Sequence, residues 1–259
     1  MGQTQTQVTH FERPSIEPHL RVMSWNIHKG VGGLDRRYDL NRTIAVIKHY
    51  SPDVLLLQEV AQGIKRLRGH DQVDLLTAAL GLHASFHLEH QRRVGAYGNL
   101  ILARWPIYHS THLDLTIGWR KRRGMLQAHI RTHVAHFQRS LVVHNMHLGL
   151  AGSERGKQLE RFVSSAPLRQ VSHNTPTIVA GDFNDLWGSL GPKYLLPFGF
   201  ERAGALANTF PSALPLRPLD GLFYRGGLKL VHCAVARSEL ARTASDHLPI
   251  YADFILLPA

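Results

Sequence analysis

One cysteine, Cys233, occurs in 259 residues. That excludes an intramolecular disulfide and fits a reducing compartment, so a cytoplasmic location is expected. Acidic residues are also scarce: 19 Asp and Glu stand against 30 Lys and Arg, a net charge of +11. No apolar run is long enough to span a bilayer. Linkers rich in glycine, serine or proline are missing, as are internal repeats, which points to one domain. Residues 1–19 are polar and lack the apolar stretch of a secretion signal, so they read as a flexible tail before a domain at 20–259. Met1-Gly-Gln-Thr-Gln-Thr6 fits the N-myristoylation pattern. Stable anchoring needs a second signal, and the first twenty residues offer no lysine and a single arginine, Arg13.

What is present is a hydrophobic fraction of 44%, ample for a buried core. The basic surplus attracts polyanions of three kinds: nucleic acid, anionic lipid surfaces and phosphorylated metabolites. Arginine in particular suits phosphate, which it grips through two parallel hydrogen bonds. No obligate protein partner is implied.

Short apolar runs alternate with helical periodicity. Leu20–Asn26 and Val54–Leu57 read as strands, with a helix between them carrying Leu40, Ile44 and Ile47 behind an Asp39 cap, a parallel βαβ signal. Gln72–Leu80 reads as a helix, and Gly98–Ala103 as a strand. Met125–Thr132 and Leu141–Met146 read as adjacent strands turning through Ala135–Ser140. A helix-compatible segment, Ser153–Gln170, precedes the strand Ile178–Asp182. Leu219–Tyr224, Leu230–Val235 and Leu248–Leu256 complete the strand candidates. Strands with interposed helices imply an α/β fold of two packed sheets covered by helices.

Several of these strands end in polar groups: Asn26, Glu59, His147, the Asp182/Asn184 pair, Asp220 and the Asp246/His247 pair. A carboxylate at a buried-strand exit is costly unless it meets a cation or another partner. Glu59 fits a hard-metal ligand, because Mg²⁺ takes one or two carboxylates and keeps water and phosphate oxygens for its other positions. Histidine beside a carboxylate suits proton transfer near neutral pH. On extended chain Asp182 and Asn184 would point the same way and hold a water or a phosphoryl oxygen. An Asp-x-Asn turn is the alternative at this point.

Trp25-Asn-Ile27, Leu57-Gln-Glu59, Asn145-Met-His-Leu148, Gly181-Asp-Phe-Asn184, Leu219-Asp220 and Ser245-Asp-His247 follow one another in the order seen in one family. The chain resembles the endonuclease/exonuclease/phosphatase superfamily, DNase I-like in fold, from about Leu20 to the C-terminus. The resemblance implies a four-layer αββα sandwich of two mixed β-sheets flanked by helices, with the site at one edge. It implies a divalent metal, Mg²⁺ or Mn²⁺, ligated by Glu59 with Asn26 close by and Asp246 completing the metal or water site. Asp182 would orient or deprotonate the attacking water, and Asn184 would hold the phosphate. His247 would contact the scissile phosphate, oriented by Asp220, and His147 would be a second phosphate contact. The implied reaction is metal-assisted attack of water on phosphorus, by a phosphodiesterase or endonuclease. Abasic-site endonucleases of the superfamily typically carry Asp where His28 stands and Tyr where His147 stands. The chain is more similar to the branch holding DNase I, sphingomyelinases and inositol-phosphate phosphatases, and in its Asn26-Ile-His28 stretch to compact bacterial members.

Substrates compatible with that core are a nucleic acid, a phospholipid and a small phosphorylated molecule. A non-catalytic binding module is the contrasting class, and it would have lost the groups that every matched position here retains. The basic run Arg120–Arg123 reads equally as a DNA contact or a solvated loop. Leu113, Leu115, Ile117 and Trp119 read either as an apolar lip for a bilayer or as a half-buried strand.

Overall fold

The computed structural model describes residues 19–92, 95–134 and 137–258. The expected N-terminal tail, apart from His19, lies outside them. In chain order the elements begin with β1 (His19–Asn26), α1 (Leu40–Tyr50), β2 (Val54–Gln62), α2 (Gln72–Leu80), β3 (His83–Arg92) and β4 (Gly95–Ala103). Next come β5 (Ile107–Asp114), β6 (Gly124–Val134), β7 (Phe137–His147), α3 (Gly152–Ser164), α4 (Ala166–Arg169) and β8 (Thr177–Asp182). The chain closes with β9 (Glu201–Arg202), β10 (Asp220–Arg225), β11 (Leu228–Val235), α5 (Glu239–Ala244) and β12 (Ile250–Leu256).

The strands form two six-stranded sheets, ordered β11-β12-β1-β2-β4-β3 and β5-β6-β7-β8-β10-β9. Both are mixed: β1 pairs parallel with β2 across α1, and β7 parallel with β8 across α3 and α4, while the remaining pairings are antiparallel. Side-chain alternation builds the layers. Leu20 and Val22 of β1, Leu56 of β2, Leu141 and Val143 of β7, Ile178 and Ala180 of β8 and Leu222 of β10 meet in the core between the sheets. The opposite face of the first sheet, with Met23, Trp25, Leu55 and Leu57, packs under α1, α2 and α5. The opposite face of the second, with Met125, Met146, Val179 and Phe223, packs under Leu159, Phe162 and Val163 of α3. The result is the expected helix–sheet–sheet–helix sandwich.

Local signals fix the helix ends. Asp39 accepts from the Asn41 amide and opens α1, which Ser51 closes in a left-handed conformation. Asp71 caps α2, and Gly81 ends it at φ 65°. Among the described residues, no helix is long and apolar enough to cross a membrane.

Three readings change. β3, β9 and α5 carry no strong periodicity and were not expected. The alternation from Leu113 to Trp119 is not one strand: β5 ends at Asp114, Leu115 is fully buried and only Trp119 stands free in solvent. The Arg120–Arg123 run is not uniformly solvated, because Arg123 is only 4% exposed.

Candidate active site

The alternation that fills the core also delivers the polar groups. Continuing the inward-facing series past the apolar residues reaches Asp182 on β8 and Asp220 on β10 at the next position, and Asn26 on β1 and His147 on β7 one position beyond the buried Ser24 and Asn145. β1, β7 and β8 run toward this edge and β10 runs away from it, so these four side chains converge where the two sheets meet. Gln58 and Asn145 form a polar floor beneath them: Gln58 Nε2 donates to Asn145 Oδ1 across the sheets at 2.7 Å, and Asn145 Nδ2 donates to Leu57 O at 2.9 Å.

Asp182 is the centre. Its Oδ2 accepts from Asn26 Nδ2 at 3.0 Å and lies 3.4 Å from His147 Nε2 and 3.9 Å from His247 Nε2. Its Oδ1 accepts from the Asn184 amide at 2.9 Å. That last bond corrects the expected extended pair. Asn184 sits at φ 50°, a left-handed conformation asparagine tolerates, so the chain turns over the Asp182 carboxylate and the Asn184 amide side chain donates to Leu148 O at 3.0 Å. Gly181 is required just before it, since a Cβ there would fall 1.9 Å from Met146 O.

His247 is held from three sides. Trp25 Nε1 donates to its carbonyl at 2.8 Å, Ser245 Oγ accepts from its amide at 3.3 Å, and the Phe210 ring lies 4.9 Å from the imidazole. Nδ1 is 2.8 Å from Asp220 Oδ2, and Thr209 Oγ1 donates to the same oxygen at 2.5 Å. Burial alone would depress His247, but the Asp220 and Asp182 charges outweigh it and push the imidazole up to about 10. Burial raises Asp182 above the usual carboxylate range, with His247 opposing. His147 moves the other way: burial, then the Arg123 and Lys121 charges, hold it well below the ordinary value, and its Nδ1 has no partner among the described residues. The two imidazoles are thus pushed in opposite directions, His247 toward its charged form and His147 toward its neutral one.

Glu59 lies where the β2–β4 register shifts between Leu57 and Val60, and its φ of 58° turns its carboxylate out of the ladder. Lys29 forms an ion pair with Glu59 Oε2. Burial would raise the Glu59 carboxyl, but Lys29 more than offsets it and holds it below the usual range. Asp246 Oδ2 is 3.6 Å from His28 Nδ1, and Asn26 Oδ1 accepts from the His28 amide at 3.0 Å. Glu59, Asn26 and Asp246 offer only oxygen donors, the set a hard divalent cation prefers, and Glu59 already draws an ammonium to itself. The chemistry of that donor set fits a hard divalent cation. A second grouping, Asp182, Asp220 and His247, has donor atoms within 4.8 Å of one another. His247 is bonded through Nδ1 to Asp220 and turns Nε2 toward Asp182, the arrangement of an acid–base cluster, and that Nε2 with the Asp182 and Asp220 carboxylates also makes a donor set a cation could take without breaking the His247–Asp220 bond.

Sequence reasoning missed the basic and acidic groups on the other side of His147. Lys29 Nζ and Lys121 Nζ lie 4.7 and 5.3 Å from the Tyr97 ring. Glu89 of β3 is buried, accepting through Oε1 from Asn99 Nδ2 at 2.6 Å and the Gly124 amide at 2.9 Å. Burial pushes it up to about 8, with Arg123 opposing. Arg123 itself leaves Nε and Nη1 unpartnered among the described residues. The one available signal was the density of Arg120–Arg123.

Residues 23–247 match the Endonuclease/Exonuclease/phosphatase family. The uncharacterized protein YbhP of Escherichia coli K12 is 28% identical over 248 residues, covering 91% of this chain and 96% of YbhP. An endonuclease/exonuclease/phosphatase from Beutenbergia cavernae superposes with a TM-score of 0.78 at 24% identity, covering 93% of this chain and 72% of that one. The mannosyl-6-phosphatase Bt3783 of Bacteroides thetaiotaomicron gives 0.71 at 17%, covering 91% and 99%. Members of this family are phosphoester hydrolases, and the fold is shared across these neighbours. The chain belongs to the endonuclease/exonuclease/phosphatase family.

Proposed function

We propose that this chain is a divalent-metal-dependent hydrolase of phosphodiesters, acting by attack of water on phosphorus. The observation that carries the reading is the placement of His247 between Asp220 and Asp182. Asp220 orients the imidazole and keeps it protonated, the arrangement of a His–carboxylate pair used for charge stabilisation. His247 then faces the scissile phosphate as a cation, stabilising the charge that develops on its oxygens and offering a proton to the departing alkoxide. Asp182, with its proton affinity raised by burial, takes a proton from the attacking water. Asn26 holds the Asp182 carboxylate in place. Asn184 and neutral His147 supply hydrogen bonds to the phosphate.

Glu59, Asn26 and Asp246 would hold Mg²⁺ or Mn²⁺, which when bound neutralises phosphate charge and polarises the P–O bond. A diester continues on both sides of phosphorus, and the basic loops around the site suit such a substrate better than a small monoester. Nucleic acid remains the broadest diester class that the net charge supports. The test compares bis(4-nitrophenyl) phosphate with 4-nitrophenyl phosphate, each with Mg²⁺, Mn²⁺ or chelator. Metal-dependent preference for the diester is expected. Preference for the monoester would replace phosphodiesterase by phosphatase.

A further inference from the structure

The loops that leave the catalytic edge carry apolar tips that the core does not use. Leu34 lies between β1 and α1, Trp119 between β5 and β6, Leu150 between β7 and α3, Trp187 after β8, and Leu214 and Leu216 between β9 and β10. All are exposed, Trp119 to 95% and Trp187 to 81%. Strand direction places every one of these connections at the end of the sandwich that holds Asp182 and His247. Large apolar side chains gathered around one edge mark a surface that meets a partner.

The same loops are basic. Arg36, Arg37, Arg120, Lys121, Arg122 and Arg217 are exposed in them. Against these stand Asp35 and Asp39, both paired with Arg42, and Glu154, paired with Arg120, while Asp185 is buried. A ring of tryptophan and leucine interleaved with arginine has the chemistry of an interface that enters the headgroup region of an anionic bilayer. The indole rings would sit at headgroup level and the cations against lipid phosphates. Single-stranded nucleic acid would use the tryptophans for stacking, but leucine tips give it nothing.

We propose that the catalytic edge docks on anionic phospholipid surfaces. Docking does not rest on the hydrolase reading above. The expected lip of Leu113 to Trp119 is thereby replaced by a rim drawn from five loops, with Trp119 its single shared member.

The experiment is flotation of His247→Ala protein, in chelator, with vesicles of phosphatidylcholine alone or mixed with phosphatidylserine. Binding is expected to the mixed vesicles, with a blue shift of tryptophan emission. A Trp119→Ser/Trp187→Ser protein should lose about tenfold in binding while its wild-type counterpart still hydrolyses a soluble diester at the normal rate. Vesicle binding that is absent, or unchanged by the double substitution, overturns docking even if soluble diester is cleaved. Salt-sensitive DNA binding without vesicle binding does the same and assigns the edge to nucleic acid. Vesicle binding in a protein whose wild type cleaves no diester leaves docking standing and removes the hydrolase reading.

Discussion

The His247 imidazole lies 2.8 Å through Nδ1 from Asp220 Oδ2, with both side chains all but closed to solvent. This contact fixes which face of the ring meets the cleft, and it sets the charge of the ring.

Removing that partner should be visible in the histidine itself. The charged imidazole stabilises the fold below pH 6.5, and that contribution is lost as pH rises through about 10. Asp220→Asn deletes the negative charge, so the His247 titration should move down by more than one unit. Two-dimensional ¹⁵N NMR of the metal-free protein would show it. A His247 that titrates at the ordinary position in wild type, and does not move in the variant, contradicts the geometry.

Glu89 gives a prediction of opposite kind. Its folded pKa of about 8 lies above the ordinary 4.5, so the folded state binds the extra proton and stability falls as pH rises from 4.5 through 8. Glu89→Gln removes this penalty. The variant should gain melting temperature over wild type between pH 5 and pH 9, by roughly 5 °C or more. An equal difference at both pH values would place Glu89 in a more polar setting than its burial indicates.

Trp25 shows how far the fold and the site share parts. It is fully buried against the helical layer, and its indole donates to the His247 carbonyl. Trp25→Phe keeps the packing and deletes the donor, leaving a buried carbonyl short of a partner. A loss of about 1–3 kcal/mol is expected in denaturant unfolding, together with reduced turnover. Unchanged stability would mean that water replaces the indole.

Glu59→Gln tests the cation site. Replacing one of the site's two carboxylates by a neutral amide should move the Mg²⁺ activation curve to higher concentration by about tenfold, with less change in the rate at saturation. An unchanged curve would assign the metal elsewhere, with the Asp182, Asp220 and His247 cluster the next candidate.

Much of this was legible in sequence because strand ends and motifs coincide. Ile178–Gly181 is a continuous apolar run that ends at Asp182 on a sheet edge, as its pattern implied, whereas behind the similar run Val54–Leu57 the strand continues past Gln58 and Glu59 to Gln62. The layers followed from the same runs. What could not be read was conformation at single residues. Asn184 turns back over Asp182 because a backbone amide completes the carboxylate's hydrogen bonding, and Glu59 leaves the ladder at a bulge; neither is a matter of composition. β3 was hidden because His83–Arg92 mixes polar and apolar residues to suit one neighbouring strand, and α5 because six residues hold less than two turns. Arg123 looked like its solvated neighbours Arg120–Arg122 until the fold brought it beside Glu89 and His147.

The most direct measurement is hydrolysis of bis(4-nitrophenyl) phosphate by wild type and His247→Ala, with Mg²⁺ or Mn²⁺ and with chelator. The structure predicts metal-dependent turnover that falls by roughly 10²–10³ in the variant while its circular dichroism is unchanged. Wild-type turnover in a folded His247→Ala protein would contradict the assignment of His247 as the charge-stabilising group.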